Sequence, residues 1–130
     1  MSFESTTLAV LTASSPITAQ VSTRIYSGTA PQDVIPSYIV FRRASTDPTL
    51  STDNGAPGSS ELDNIRLEVS CHARTAAQAN ALAKLVRRAL EAYRPTAYIL
   101  QDITHDYSDL PDTFQTVAEF SCWHPDTIPA

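Results

Sequence analysis

A strand that leads directly into a helix, over residues 64–93, constrains the fold of this chain more than any other feature. In NIRLEVSCHA, apolar residues alternate with polar ones, which is the pattern of a strand with one buried face. Thr75 and Gln78 follow at once with the spacing of a capping box, so a helix is predicted to begin there. The segment therefore predicts a helix that packs on a half-buried sheet.

The faces of this strand and helix can be assigned from their periodicity. The strand residues predicted to face the core are Ile65, Leu67, Val69, Cys71 and Ala73. The helix residues predicted to pack on the sheet are Ala79, Leu82, Ala83, Val86, Leu90 and Tyr93. The polar residues on the opposite side of the helix are Asn80, Lys84, Arg87, Arg88 and Glu91. Pro95 is expected to end the helix, because proline disfavours the helical conformation of the residue before it.

The other segments complete an α+β pattern. Residues 3–13 are predicted to form a helix with Phe3, Leu8 and Leu11 on one face, and Ser15 is predicted to cap a second helical turn at Pro16. The further strands are predicted at residues 23–27, 37–45, 97–107 and 113–124. Residues 46–60 are rich in Gly, Pro and Ser and are predicted to form a long flexible loop, and residues 125–130 a C-terminal tail.

The order α-β-β-(long loop)-β-α-β-β predicts one small α+β domain over residues 1–130. We expect a mixed, mostly antiparallel sheet of four to five strands with two helices on one face. With 130 residues the chain suits one core, and a net charge of −5 disfavours a general nucleic-acid binder. No apolar run approaches the roughly 18 residues of a membrane span, and the N-terminus lacks the basic region of a signal peptide, so we expect a cytoplasmic origin.

Residues that could carry chemistry do not form a recognisable site. Cys71 and His72 are strand neighbours that point to opposite faces, so a metal site with Cys122 and His124 is not expected. Both cysteines are predicted to be buried free thiols, and His72, His105 and His124 to be structural. The sequence contains neither a phosphate-binding glycine loop nor a nucleophile elbow. No motif in the sequence therefore predicts a catalytic site or a cofactor.

Three groups of charged residues remain open to two interpretations. The acidic rim, Asp102, Asp106, Asp109 and Asp112, is either solvated or meets a basic patch on another subunit. The basic stripe, Lys84, Arg87, Arg88 and Arg94, either complements the helix dipole on a solvated face or contacts a subunit or a phosphate. Arg42 and Arg43 form a second basic spot with the same ambiguity.

The order of these segments resembles that of the tail terminator, or tail completion, proteins of long-tailed bacteriophages. RIYSGTAPQDVIPSYIVF, then a Gly/Pro-rich loop, then RLEVSCHARTAAQANALAKLVRRAL and a last strand ending SCW follow the family pattern from Arg24 to His124. The chain departs from it at Ser27, where proline is usual, and at Gln78-Ala79, where an acidic residue before the alanine is common.

The resemblance implies a lambda-like tail terminator fold and a structural virion protein that is not an enzyme and has no cofactor. Such proteins form a hexameric ring at the head-proximal end of the tail tube, where they stop tube polymerisation and join the head connector. The implied partners are the chain itself, the major tail tube protein, the head-completion or connector protein and the end of the tape-measure protein. DNA would pass through the ring without specific binding, no membrane is involved, and the protein would be assembled in the host bacterial cytoplasm into the virion neck.

We predict ten residues as contacts with subunits or with the tube: Arg42, Arg43, Asp53, Asn54, Lys84, Arg87, Arg88, Asp102, Asp106 and Asp109. By the resemblance, the 46–60 loop would project toward the lumen or the tube. Two other functions stay open at this point. One is a small monomeric binding module that uses its sheet, and the other is a small enzyme that uses His105 with the nearby aspartates.

Overall fold

The computed structural model describes residues 3–31, 36–49, 60–93, 96–107 and 113–127; for 46–49, 60–63, 105–107 and 124–127 it describes the backbone alone. Within these ranges the chain forms, in order, α1 (Phe3–Ala13), α2 (Ser15–Val21), β1 (Ile25–Ser27), β2 (Tyr38–Thr49), β3 (Ser60–Ala73), α3 (Ala76–Ala92), β4 (Ala97–Tyr107) and β5 (Phe114–Thr127). None of the helices in this part of the chain is long and apolar enough to cross a membrane.

The strands form one mixed sheet in the order β1-β2-β3-β5-β4. Only the β1–β2 pair is parallel; β2, β3, β5 and β4 pair antiparallel with their neighbours. Helix α3 connects β3 to β4, and β5 inserts between those two strands. This arrangement confirms the predicted α+β fold with a mostly antiparallel sheet, although the described residues contain three helices instead of two.

The core lies between the helices and one face of the sheet, as the periodicity predicted. All five predicted core positions of β3 are buried, and so are the five aliphatic positions of α3 from Ala79 to Leu90. Thr75 caps α3, and its hydroxyl accepts a hydrogen bond from the Gln78 amide at 3.1 Å. Asn80 was expected on the solvent side but is half-buried, because Thr116 of β5 donates a hydrogen bond to its side-chain oxygen at 3.3 Å.

The first two helices correct two predictions. Leu8 is 37% exposed, and the buried residues of α1 are instead Phe3, Thr6, Thr7 and Leu11. The Thr7 hydroxyl lies 3.0 Å from the hydroxyl of Tyr98, and this hydrogen bond allows a threonine to occupy the core face. Ser14, not Ser15, occupies the N-cap of α2, which places Pro16 in the first turn.

Three strands extend further than their composition predicted. β2 continues to Thr49, β3 begins at Ser60 and β5 continues to Thr127, so the ends of the predicted 46–60 loop and the start of the predicted 125–130 tail lie in strands. The pairing of β2 with β3, which resumes after a bulge between Arg43 and Ser45, and the pairing of β3 with β5 account for this, since backbone hydrogen bonds need no apolar side chain. The remainder of the predicted loop, 50–59, lies outside the described residues.

Candidate interaction surfaces

The two faces of the sheet differ, because the helices cover one of them and no described element packs across the other. We call these the covered face and the open face. The open face forms a shallow groove of about 590 Å³. The groove is lined by Gly28, Thr29, Ala30, Tyr38, Val40, Arg42, Glu68, Ser70, His72, Thr104, Gln115, Val117 and Glu119. Its lining is largely polar, so it is a candidate for recognition of a polar or charged partner.

His72 and Tyr38 form one end of this groove. They oppose each other in the β2–β3 ladder, and their rings stack with centroids 4.4 Å apart. The Nδ1 atom of His72 is buried and has no hydrogen-bond partner among the described residues. Burial lowers the pKa of His72 and raises the pKa of Tyr38. The pair is neutral near neutral pH, and the stacking is a structural role for His72.

Four charged residues cross the open face in a single row. Arg42 opposes Glu68, Glu68 opposes Glu119, and Glu119 opposes Asp102 in the strand registers, so each strand from β2 to β4 contributes one residue. Arg42 binds Glu68, with Nη2 and Oε2 2.8 Å apart. Glu119 and Asp102 are like charges directly opposite each other on neighbouring strands, an arrangement that is destabilising. Within the described residues, no cation pairs with either of them. We call these four residues the charged row.

Arg42 and Arg43 do not form the single basic spot that their sequence suggests. Arg43 lies on the covered face, where its Nε is 2.9 Å from Oε1 of Glu4 and its guanidinium lies 5.4 Å from the ring centroid of Phe3. Neighbouring strand residues point to opposite faces, and this alternation separates the two arginines. Arg43 therefore attaches α1 to the sheet, and Arg42 alone belongs to the open face.

The basic stripe lies on the outer side of α3. Lys84, Arg87 and Arg88 are exposed, and Arg87 Nε is 2.9 Å from Oε1 of Glu91 one turn later. An exposed pair of this kind contributes about 0.3–0.5 kcal/mol to helix stability. The stripe therefore remains accessible to a partner, while Arg94, its fourth member, lies outside the described residues.

The cysteines are free and buried, as predicted. Burial raises the pKa of both thiols to about 12, so neither is a reactive thiolate at neutral pH. Cys71 faces the core and His72 faces the groove, so the two do not converge. Among the described residues, His, Cys, Asp and Glu do not gather in a group of three that could hold a metal ion.

The predicted contact residues thus fall on separate surfaces. Asp102 is exposed on the open face because a bulge between Leu100 and Asp102 shifts the alternation of β4. The backbone of Asp106 lies opposite Gln115, while Asp53, Asn54, Asp109 and Asp112 lie outside the described residues. Glu68 and Glu119 were not predicted as contacts. Only the strand registers bring them beside Arg42 and Asp102.

Comparison with known proteins agrees with the predicted family. Residues 7–124 match the family model of the tail completion protein gp17. A chain from the virion of a native gene transfer agent particle has the same fold with a TM-score of 0.64 at 18% identity, and 92% of each chain is covered. The gp17 protein of bacteriophage SPP1 has a TM-score of 0.51 at 16% identity, over 91% of this chain and 86% of that one.

Comparison with curated protein sequences gave no match. The two solved structures are less than 25% identical to this chain and support its fold. Membership is carried by the family model, which spans the helices, the sheet and both surfaces described above. The chain belongs to the tail completion protein gp17 family, and its role is that of a structural phage tail protein rather than an enzyme.

Proposed function

We propose that the protein forms a hexameric ring that caps the head-proximal end of the phage tail tube. The ring stops polymerisation of the major tail tube protein and presents a surface to the head-completion or connector protein. The observation that carries this proposal is the family match over residues 7–124. Its place in the virion would be the neck, where the end of the tape-measure protein also reaches the tube.

The shape of the subunit supports a ring. A ring of identical subunits needs two different patches on each subunit, one for the preceding neighbour and one for the next. The sheet supplies two unlike edges, the short β1 beside β2 on one side and the long β4 on the other. With helices on one face only, the sheet also has a side that remains free for the tube, the lumen or the DNA that passes through it.

The charges of the open face fit a passage for DNA better than a DNA-binding site. Its described charged residues, Arg42, Arg66, Glu68, Asp102 and Glu119, include more carboxylates than guanidinium groups. A surface that binds the phosphate backbone needs an excess of Lys and Arg. We therefore propose that DNA passes the ring without being held, and that the basic stripe on α3 faces the proteins of the neck.

Purified tail tubes that lack a cap provide the direct test. Added protein should bind one end of each tube, stop its growth in the presence of free tube protein, and appear there as a ring in negative-stain images. Light scattering then gives the number of subunits bound per tube end, with about six expected. Tubes that already carry the protein serve as the control and should bind no more.

The result that contradicts the proposal is equally specific. A protein that stays monomeric with capped and uncapped tubes alike, and leaves tube growth unchanged, does not terminate tails. That outcome would favour a small monomeric binding module that uses the groove of the open face.

A further inference from the structure

We propose that neighbouring subunits of the ring join through their sheet edges, and that Asp102 of one subunit pairs with Arg42 of the next. This inference rests on the proposed function, since it names the contact that holds the ring together. It commits to a second copy of this chain as the occupant of both edges. Three observations on the described residues support it.

The first observation is that the two edges have compatible strand directions and no further strand beside them among the described residues. β2 and β4 run in opposite directions in the sheet, so β4 of one copy would approach β2 of the next copy antiparallel. β1 pairs with β2 as far as Phe41, and no described strand pairs with that edge of β2 from Arg42 onward. The edge of β4 carries neither Pro nor Lys, two residues that can block edge pairing.

The second observation is charge complementarity in one register. The charged row begins with Arg42 at the free edge of β2 and ends with two adjacent carboxylates, Glu119 and Asp102, at the edge of β4. The side chain of Arg42 is 65% exposed although it already binds Glu68. A guanidinium group has five N–H donors and can bind a second carboxylate. A neighbouring copy in the same register would therefore supply a cation to the end of the row where no described cation is paired.

The third observation is the position of the exposed apolar side chains. The large apolar residues of the described chain that are most exposed are Leu8, Ile99 and Ile103. Ile99 and Ile103, at 49% and 37% exposure, lie on opposite faces of β4 on either side of its bulge. At the other edge, Leu8 and Ile25 line an apolar groove with threonine and serine residues of α1, α2 and the following turn. Each edge of the sheet thus carries apolar surface that a second copy would bury.

A junction with Asp102 opposite Arg42 is geometrically specific. In antiparallel pairing it places the first half of β4, Ala97 to Gln101, beside residues 43–47 of the next copy. The bulge of β4 between Leu100 and Asp102 then lies beside the bulge of β2 between Arg43 and Ser45, so the two irregularities match. The pairing ends at Asp102 and Arg42, because β1 occupies the edge of β2 before Arg42.

The test uses charge reversal in separate chains and measures ring formation on uncapped tail tubes. Arg42→Glu alone and Asp102→Arg alone place like charges at every junction and should each reduce ring formation about tenfold or more. An equal mixture of the two variants should recover it, because each junction between alternating subunits then brings together side chains of opposite charge. Arg66→Glu is the matched control, an exposed arginine on the inner strand β3, and should leave ring formation unchanged.

The outcomes separate this inference from the proposed function. Single variants that form rings as the unaltered protein does, or a mixture that stays as defective as each variant alone, would overturn the Arg42–Asp102 contact while the ring itself stands. Unaltered protein that forms no ring on tubes would overturn the proposed function and this contact with it. Circular dichroism and urea unfolding of each variant show whether a loss of assembly is a loss of folding.

Discussion

The covered face and the open face of the sheet are built by the same strands but have opposite physical characters. On β3, the residues from Ile65 to Ala73 that face the helices are at most 1% exposed, while Arg66, Glu68, Ser70 and His72 between them are partly or fully accessible. The covered face excludes water and holds the fold, whereas the open face carries carboxylates, Glu119 and Asp102, that no cation among the described residues pairs with. The difference teaches that alternate residues of one strand can be substituted to alter either stability, on the covered face, or assembly, on the open face.

The largest expected loss of stability follows the removal of a core side chain from the covered face. Phe120 of β5 is fully buried, and Phe120→Ala should lower the free energy of unfolding by about 3–5 kcal/mol, because it leaves a cavity among the residues of β3 and the helices. Urea unfolding measures the change. The matched variant on the open face is Val117→Ala on the same strand, which is half-buried and should cost about 1 kcal/mol or less.

Equal losses for Phe120→Ala and Val117→Ala would contradict the comparison. They would show that the open face is as tightly packed as the covered face in solution, as it would be if it were buried against another copy in the free protein. Unfolding measured over a range of protein concentrations distinguishes that case, since stability from association depends on concentration.

The next largest effect concerns a buried polar contact between α1 and β4 of the sheet. Tyr98→Phe removes the buried hydrogen bond to Thr7 and should cost about 1–2 kcal/mol, because the Thr7 hydroxyl is left without its partner. Thermal or urea unfolding provides the measurement. Tyr26→Phe, a half-buried tyrosine of β1, is the control and should change stability by less than about 0.5 kcal/mol. If both variants have the same effect, the Thr7–Tyr98 bond does not contribute to the fold.

A smaller loss of stability is expected when the pH is lowered, because of His72 on the open face. Burial depresses the pKa of His72 below its usual 6.5, so the unfolded chain takes up a proton at a higher pH than the folded one. Above about pH 6.5, His72 is neutral in both states and its contribution to stability is fully present. That contribution is lost as the pH falls through the depressed pKa of the folded state. We expect unfolding in urea to require less denaturant at about pH 5.5 than at about pH 7.5.

His72→Gln tests the origin of this pH dependence. The variant keeps a polar side chain beside Tyr38 but has no proton to bind in this range. Its stability should change less between the two pH values than that of the unaltered protein. An identical pH dependence in both proteins would assign the effect to other groups and leave His72 without a role in it.

The smallest effect on stability is expected on the outer surface of α3. Arg87→Glu with Arg88→Glu should change the free energy of unfolding by less than about 1 kcal/mol, because both side chains are exposed and only Arg87 has an ion pair, with Glu91. If the subunits join at their sheet edges, this variant still forms rings on tail tubes but joins heads less well. Loss of the ring would make α3 the subunit contact, and no change in either assay would make the basic stripe a solvated surface.

Much of the fold could be predicted because local periodicity and tertiary packing agree. The alternation predicted every buried residue between 64 and 73, and the capping position of Thr75 fixed the start of α3. The prediction that Leu8 faces the core was wrong. The side of α1 that faces the core is set by the Thr7–Tyr98 hydrogen bond, which joins residues far apart in sequence. The ends of β2, β3 and β5 were misplaced because strand pairing continues through polar residues that composition assigns to a loop or a tail.

The sequence by itself determined the order of elements, the buried sides of β3 and α3, and the family, because these depend on spacing along the chain. Only the tertiary structure decided which charges meet. Arg42 and Arg43 are adjacent in sequence but lie on opposite faces, whereas Arg42, Glu68, Glu119 and Asp102 come from four strands and share one row. The registers of strand pairing set that row, and registers depend on the whole set of backbone hydrogen bonds and bulges in the folded sheet.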